Sequence, residues 1–167
     1  ACRVWTSSVQ EVIRGRLAQR DELCMRYAEL LARLAQPPLT LVHGDFRLEN
    51  LRFSANRVAA FDWQFVCRCR GGYDLAYFMA LSSPPEQRRG RERELLQRYI
   101  CTASSELARV EEDVRVALLL VLASFIIGLL TASSSSHEMH ARAVAWIGQA
   151  VEDWDCLRCL EVKPGSL

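Results

Sequence analysis

Apolar residues recur at Leu23, Tyr27, Leu30, Leu31 and Leu34, three or four positions apart, the spacing of one helix face. That predicts an amphipathic helix over Asp21–Ala35, ended by Pro37-Pro38. A looser helix is predicted over Ser8–Gln19. The pattern then changes. Leu39-Thr40-Leu41-Val42, Leu51-Arg52-Phe53 and Val58-Ala59-Ala60-Phe61 are short β-prone runs, and Ser54-Ala55-Asn56-Arg57 reads as a turn between the last two.

Helical spacing returns at Asp74. Its carboxylate is placed to cap a helix through Leu75–Leu81 by accepting free backbone N–H groups. Ser82-Ser83-Pro84-Pro85 reads as a loop. One helix is predicted from Pro85 onward, with Leu95, Leu96, Tyr99, Ile100, Ala103 and Leu107 on one side. Val116 to Ala132 carries no charge. It falls short of the roughly 20 residues that cross a bilayer, and Asp113 and Arg115 precede it, so a helix buried all round is the expectation. A last helix sets Ala141, Val144, Ala145, Gly148 and Val151 on one face, after a loop at Ser133–Ser136. The tail Lys163–Leu167 reads as loose. About six helices around a small β element make residues 1–167 one α+β domain, mostly α.

Composition changes this picture little. Half of the 167 residues are hydrophobic, a quarter are charged, and the formal net charge is +1. A nucleic acid or an anionic membrane more often meets a clear basic excess, so neither is an expected partner. Arg88, Arg89, Arg91 and Arg93 alternate with Glu86, Glu92 and Glu94 and read as a solvated helix face. Seven scattered cysteines suit a reduced, cytoplasmic setting better than a disulfide framework. Cys67/Cys69 and Cys156/Cys159 would make a four-thiolate zinc site only if the two pairs converged. No N-terminal targeting signal is visible, and the chain opens on Ala1, as a piece of something longer would.

The chemistry concentrates in His43-Gly44-Asp45-Phe46-Arg47-Leu48-Glu49-Asn50, followed by Phe61-Asp62-Trp63 at the end of the next β-prone run. Phosphoryl transfer needs groups of these types. One carboxylate orients the attacking hydroxyl and accepts its proton, while hard oxygen ligands hold Mg²⁺ on the phosphates. An amide such as Asn50 supplies one such oxygen without adding negative charge, and a second carboxylate on a separate strand end supplies another. Singly, Asp45 is also a turn residue, Asn50 a cap and Asp62 a strand-end carboxylate. His137 and His140, in His-Glu-Met-His, match neither metal nor nucleophile spacing and read as an exposed loop.

His43-Gly44-Asp45 with Asn50 five residues on, Asp62 seventeen residues after Asp45, and Gly71-Gly72-Tyr73-Asp74-Leu75-Ala76 beyond it resemble the aminoglycoside phosphotransferase and choline kinase-like family. They are the small-molecule counterpart of the protein-kinase His-Arg-Asp…Asn and Asp-Phe-Gly pattern. The resemblance implies the catalytic, C-terminal lobe of a kinase-like fold, using ATP and Mg²⁺ to phosphorylate the hydroxyl of a small molecule. It implies Asp45 as catalytic base, Asn50 and Asp62 as Mg²⁺ ligands at the nucleotide, and Arg47 as a group neutralising charge at the γ-phosphate. His43 would buttress the loop, and Asp74 would brace it or cap its helix. Gln64 lies near enough in sequence to approach metal or acceptor.

The family's N-terminal lobe carries a strand lysine and a hairpin over the nucleotide. Ahead of His43 the chain reads as helix only, and its one lysine is Lys163. The expectation is therefore a C-terminal lobe whose N-terminal lobe is absent, weakly active or inactive alone. The alternative is a degenerate, kinase-like binding module.

Overall fold

A computed structural model describes residues 26–131 and 137–161. The predicted helix Ser8–Gln19 and the tail lie outside them. The first described helix, α1, covers residues 26–34. It buries Leu30 and Leu34, whereas Leu31, predicted on the same face, is 45% exposed.

Strand β1 (Thr40–Val42) follows. After a loop and one 3-10 turn (Leu48–Asn50) come β2 (Leu51–Ser54) and β3 (Arg57–Ala60). They form a hairpin with Leu51 opposite Ala60 and Ser54 opposite Arg57, leaving Ala55-Asn56 as the turn. A strand the sequence pattern missed, β4 (Cys67–Cys69), pairs antiparallel with β1, with Thr40 opposite Cys69 and Val42 opposite Cys67. Three residues with two cysteines and an arginine carry little β signal of their own, and pairing with β1 supplies it.

The rest is helical: α2 (Gly72–Leu81), α3 (Pro85–Arg89), α4 (Glu92–Ala103), α5 (Leu107–Thr131), α6 (His137–Asp153) and a 3-10 turn (Cys156–Leu160). The protein is α+β, mostly α. The single helix predicted from Pro85 is three pieces. Gly90 ends α3, and Ser104, in the left-handed region at φ +50°, ends α4. Leu107 therefore opens α5 instead of closing α4.

The core lies where α2 and α6 pack on α5. Every residue from Val116 to Ala123 is buried, which accounts for the first half of the uncharged run; beyond it Ser124 is exposed and Ile127 is 53% exposed, so the helix is not buried all round there. Among the described residues no helix is long and apolar enough to cross a membrane. From α6, Val144, Ile147 and Val151 fill the same core at helical spacing. Gly72 lets α2 approach α5 closely, because a Cβ there would lie 2.6 Å from the Asp113 Cβ. His137 and His140 are not in a loop: they form the first turn of α6, and the His140 ring rests 5.9 Å from that of Phe125.

Charges knit the helices together. Arg88 is 2% exposed, so the basic stretch is not wholly a solvated face. Arg88 pairs with Glu92 and with Asp153 of α6, while Trp154 Nε1 donates to Glu92 at 2.9 Å. The acidic run in α5 is equally committed. Glu111 meets Arg115 at 3.5 Å, Glu112 pairs with Arg33, and Asp113 meets Arg70 at 2.8 Å. Each of these carboxylates thus faces an arginine.

Cys156 and Cys159 are buried free thiols in the last turn, and Cys67 is exposed on β4. Among the described residues no cluster of three or more His, Cys, Asp or Glu side chains is placed to hold a metal ion. Burial pushes the Cys156 thiol far above the ordinary range. It takes Cys159 up to about 11, with the Glu112 charge beside it adding to the effect. At pH 8 a thiol of pKa about 11 is ionised in roughly one molecule per thousand. Thiol labelling at pH 8, mapped by mass spectrometry, is therefore expected to modify Cys67 and Cys101 in the native protein. Cys156 and Cys159 should react only on unfolding, and early labelling of either would contradict this packing.

Candidate active site

The candidate site is built on α2. Asp74 stands in its first turn but does not cap it: Gly71 occupies the cap position, with no side-chain cap bond. The Asp74 carboxylate instead crosses to the loop after β1. Its Oδ2 accepts the His43 N–H at 2.6 Å and its Oδ1 the Gly44 N–H at 3.0 Å. Both acceptor oxygens are thus used on two consecutive loop amides. Burial raises the Asp74 pKa, and the two N–H donors oppose that rise.

Gly44 could not be another residue at low cost. Its φ is +83°, and a Cβ would lie 2.5 Å from the Phe65 carbonyl oxygen. The loop is therefore pressed against residues 61–66 at the one position without a side chain.

His43, 1% exposed, ties the same two segments. Its Nδ1 accepts the Asp45 N–H at 3.2 Å, so the ring proton sits on Nε2, which donates to the Phe61 carbonyl at 2.8 Å. The tautomer follows from the partners. The ring also packs against Trp63, with centroids 4.7 Å apart and planes tilted by 49°, and Trp63 Nε1 donates to the Ala60 carbonyl at 2.9 Å.

Asp45 and Asn50 are each 6% exposed. The 3-10 turn folds Asn50 back so that its Nδ2 donates to Asp45 Oδ2 at 2.8 Å and to the Asp45 carbonyl at 2.9 Å. With the amide nitrogen so engaged, the amide oxygen is the group Asn50 has left to offer. Its main chain reaches the neighbouring strand end, for Phe61 N–H donates to the Asn50 carbonyl at 3.1 Å. Asp62 therefore follows directly on a residue bonded to both Asn50 and His43. It is exposed, in the left-handed region at φ +66°, a conformation aspartate tolerates better than most residues.

Arg47 Nε lies 3.1 Å from Asp45 Oδ1, and Arg47 precedes the 3-10 turn in extended backbone. Leu48 N–H donates to Ser82 Oγ at 3.2 Å, anchoring the turn to the end of α2.

The six residues singled out in the sequence thus fall in one neighbourhood, with Asp45, Arg47 and Asn50 in direct contact. Gln64 is exposed beside them in the same loop as Asp62. Sequence reasoning missed Tyr77, one turn along α2 from Asp74. Burial raises its phenol well above the usual range, and the adjacent Asp45 charge raises it further, so it stays protonated beside that carboxylate. Its helical spacing from Asp74 was the available signal, and it read equally well as core.

The donor set suits a small divalent cation. Asn50 has an amide oxygen to spare, and Asp62 is a solvent-facing carboxylate on the adjoining strand end; hard oxygens of this kind suit Mg²⁺, which keeps several of its waters.

A family described as APH, the phosphotransferase enzyme family, matches the chain over residues 6–112. No curated protein matches it. The matched span covers the loop, both strand ends and α2.

The Asp74 bracket makes a direct prediction. Asp74→Ala leaves two loop N–H groups without an acceptor, at a cost of about 2–3 kcal/mol. Urea unfolding should register that loss, and hydrogen exchange at the His43 and Gly44 amides should accelerate. Asp74→Asn, with one acceptor oxygen in place of two, should recover no more than about half. Unchanged exchange at these amides would contradict the bracket.

Proposed function

The chain belongs to the phosphotransferase enzyme family, and from that premise we propose that it is the catalytic lobe of an aminoglycoside phosphotransferase or choline kinase-like enzyme, phosphorylating the hydroxyl of a small molecule. The observation that carries the reading is the pairing of Asp45 with Asn50. One loop holds a buried carboxylate against the Asn50 amide nitrogen, which leaves the amide oxygen uncommitted, and Asp62 stands on the adjoining strand end.

Magnesium ATP, when bound, supplies the phosphoryl group and the charge that neutralises its oxygens. Asn50, through its amide oxygen, and Asp62, through its carboxylate, would hold the metal. Asn50 also immobilises Asp45 Oδ2, so Oδ1 is the atom that accepts the proton of the attacking hydroxyl. His43 and Asp74 keep that carboxylate in place from behind, and Arg47 offers positive charge where the phosphoryl oxygens gain negative charge. Positioning and electrostatics are the protein's whole contribution, since phosphoryl transfer asks for little covalent help.

A strand lysine and a hairpin covering the phosphates would complete such a site. We propose that they come from outside this sequence, whose one lysine is Lys163. A nucleotide held on one face only stays open to water, so the chain alone should turn over slowly.

The test is transfer of label from Mg-[γ-³²P]ATP to a panel of amino-alcohols and aminocyclitols. Slow transfer is expected, reduced a further hundredfold or more, to order of magnitude, by Asp45→Asn. Asp62→Ala should raise the Mg²⁺ concentration needed. Transfer that is indifferent to Asp45 and Asp62 would overturn the reading. A partner bound equally well by wild type, Asp45→Asn and Asp62→Ala, with no transfer, would make the chain a binding module.

A further inference from the structure

Asp45 Oδ1 and Arg47 Nε face each other at 3.1 Å, yet among the described residues neither atom has an aligned hydrogen-bond partner and both are shielded from water, with the Tyr77 phenol beside the same carboxylate. They attract as an ion pair whose alignment falls short of a hydrogen bond. The other carboxylate oxygen differs, since Asn50 Nδ2 satisfies Oδ2 at 2.8 Å. The unsatisfied oxygen is thus the one that would meet an incoming hydroxyl, and a guanidinium stands over it.

We propose that Arg47 is a latch on Asp45, opened by an anionic oxygen. This rests on the phosphotransfer reading of Asp45. A buried polar atom without a partner is a standing cost. A hydroxyl donating to Oδ1 and an anionic oxygen accepting from Nε satisfy both atoms together, and neither does so fully while the two face each other. Binding of a phosphate oxygen and binding of a hydroxyl are therefore positively coupled, and by linkage each strengthens the other equally.

The local backbone permits the movement. Arg47 sits outside the 3-10 turn in extended conformation, and its side chain is 25% exposed, against 8% for Asp45. The guanidinium can swing toward solvent while Asn50 and its bonds stay fixed. Arg47 is on this account a positioning residue that decides when the base is available. Without an anion the acceptor hydroxyl meets an occupied carboxylate, which protects the base from unproductive partners.

Inorganic phosphate, without metal or nucleotide, is the probe. Its dissociation constant is measured for wild type, Asp45→Asn, Arg47→Gln and the double variant, alongside the NMR signal of the Arg47 Nε–Hε group. Asp45→Asn, by freeing the latch, is expected to tighten phosphate binding about fivefold or more. That gain should vanish in the Arg47→Gln background, and phosphate should shift the wild-type Hε signal. An equal gain with and without Arg47 would mean simple removal of negative charge and would overturn the latch. So would an Hε signal that phosphate leaves unmoved, a result that decides even if a variant fails to fold. Because no turnover is read, a latch without phosphotransfer, or phosphotransfer without a latch, is told apart.

Discussion

One carboxylate holds the site to the fold. Asp74 is carried by α2, which packs against α5, and it reaches out of the helical core to take two consecutive amides of the loop after β1. From that grip the rest follows in order. The loop amides fix His43, the His43 ring fixes Asp45 N–H and the Phe61 carbonyl, and Phe61 N–H fixes the Asn50 carbonyl. Three segments, the loop of residues 43–50, the strand end at Phe61 and helix α2, are thereby held together by hydrogen bonds. Burial of Asp74 without those donors would be costly, and loop amides without Asp74 would be unpaired. Each side makes the other tolerable.

The division of labour between the two halves has a physical logic. The helices bury a continuous apolar core, so α2 offers a fixed platform. The β ribbons bury little, and Leu41, Phe53, Val58, Phe65 and Val66 are all exposed on them and on the loop that joins β3 to β4. Loops on a rigid scaffold are where chemistry is usually carried. Here α2 contributes Asp74 and Tyr77, and the loops contribute the rest.

Much of this was legible in the residues themselves. The spacing of Asp45, Asn50 and Asp62 located the neighbourhood, because a turn and a strand end can be read from short polar and β-prone runs. The buried helix was legible in the first half of the uncharged run, Val116–Ala123. What the pattern could not give was partnership. Asp74 read equally as a brace for the loop or a cap for its own helix, since a capping carboxylate and one reaching across the fold have the same sequence. Arg88 looked solvated because its partner Asp153 lies 65 positions away. Strand β4 exists through β1, and the break at Ser104 rests on a left-handed backbone that serine does not advertise. His137 and His140 sit in helix α6 although the serines before them suggested a loop. For Asp74, Arg88 and β4 a contact distant in sequence overrode a local preference.

On the proposed reading, Asn50 and Asp62 offer oxygens to one point beside Asp45. Manganese(II), which takes the same oxygen ligands as Mg²⁺ and broadens nearby NMR signals, tests it most directly. The account predicts that substoichiometric Mn²⁺ broadens the Asn50 side-chain amide and the Asp62 and Trp63 backbone signals first, and that Asp62→Ala abolishes the effect. Broadening that begins elsewhere, or that survives the loss of Asp62, would contradict it.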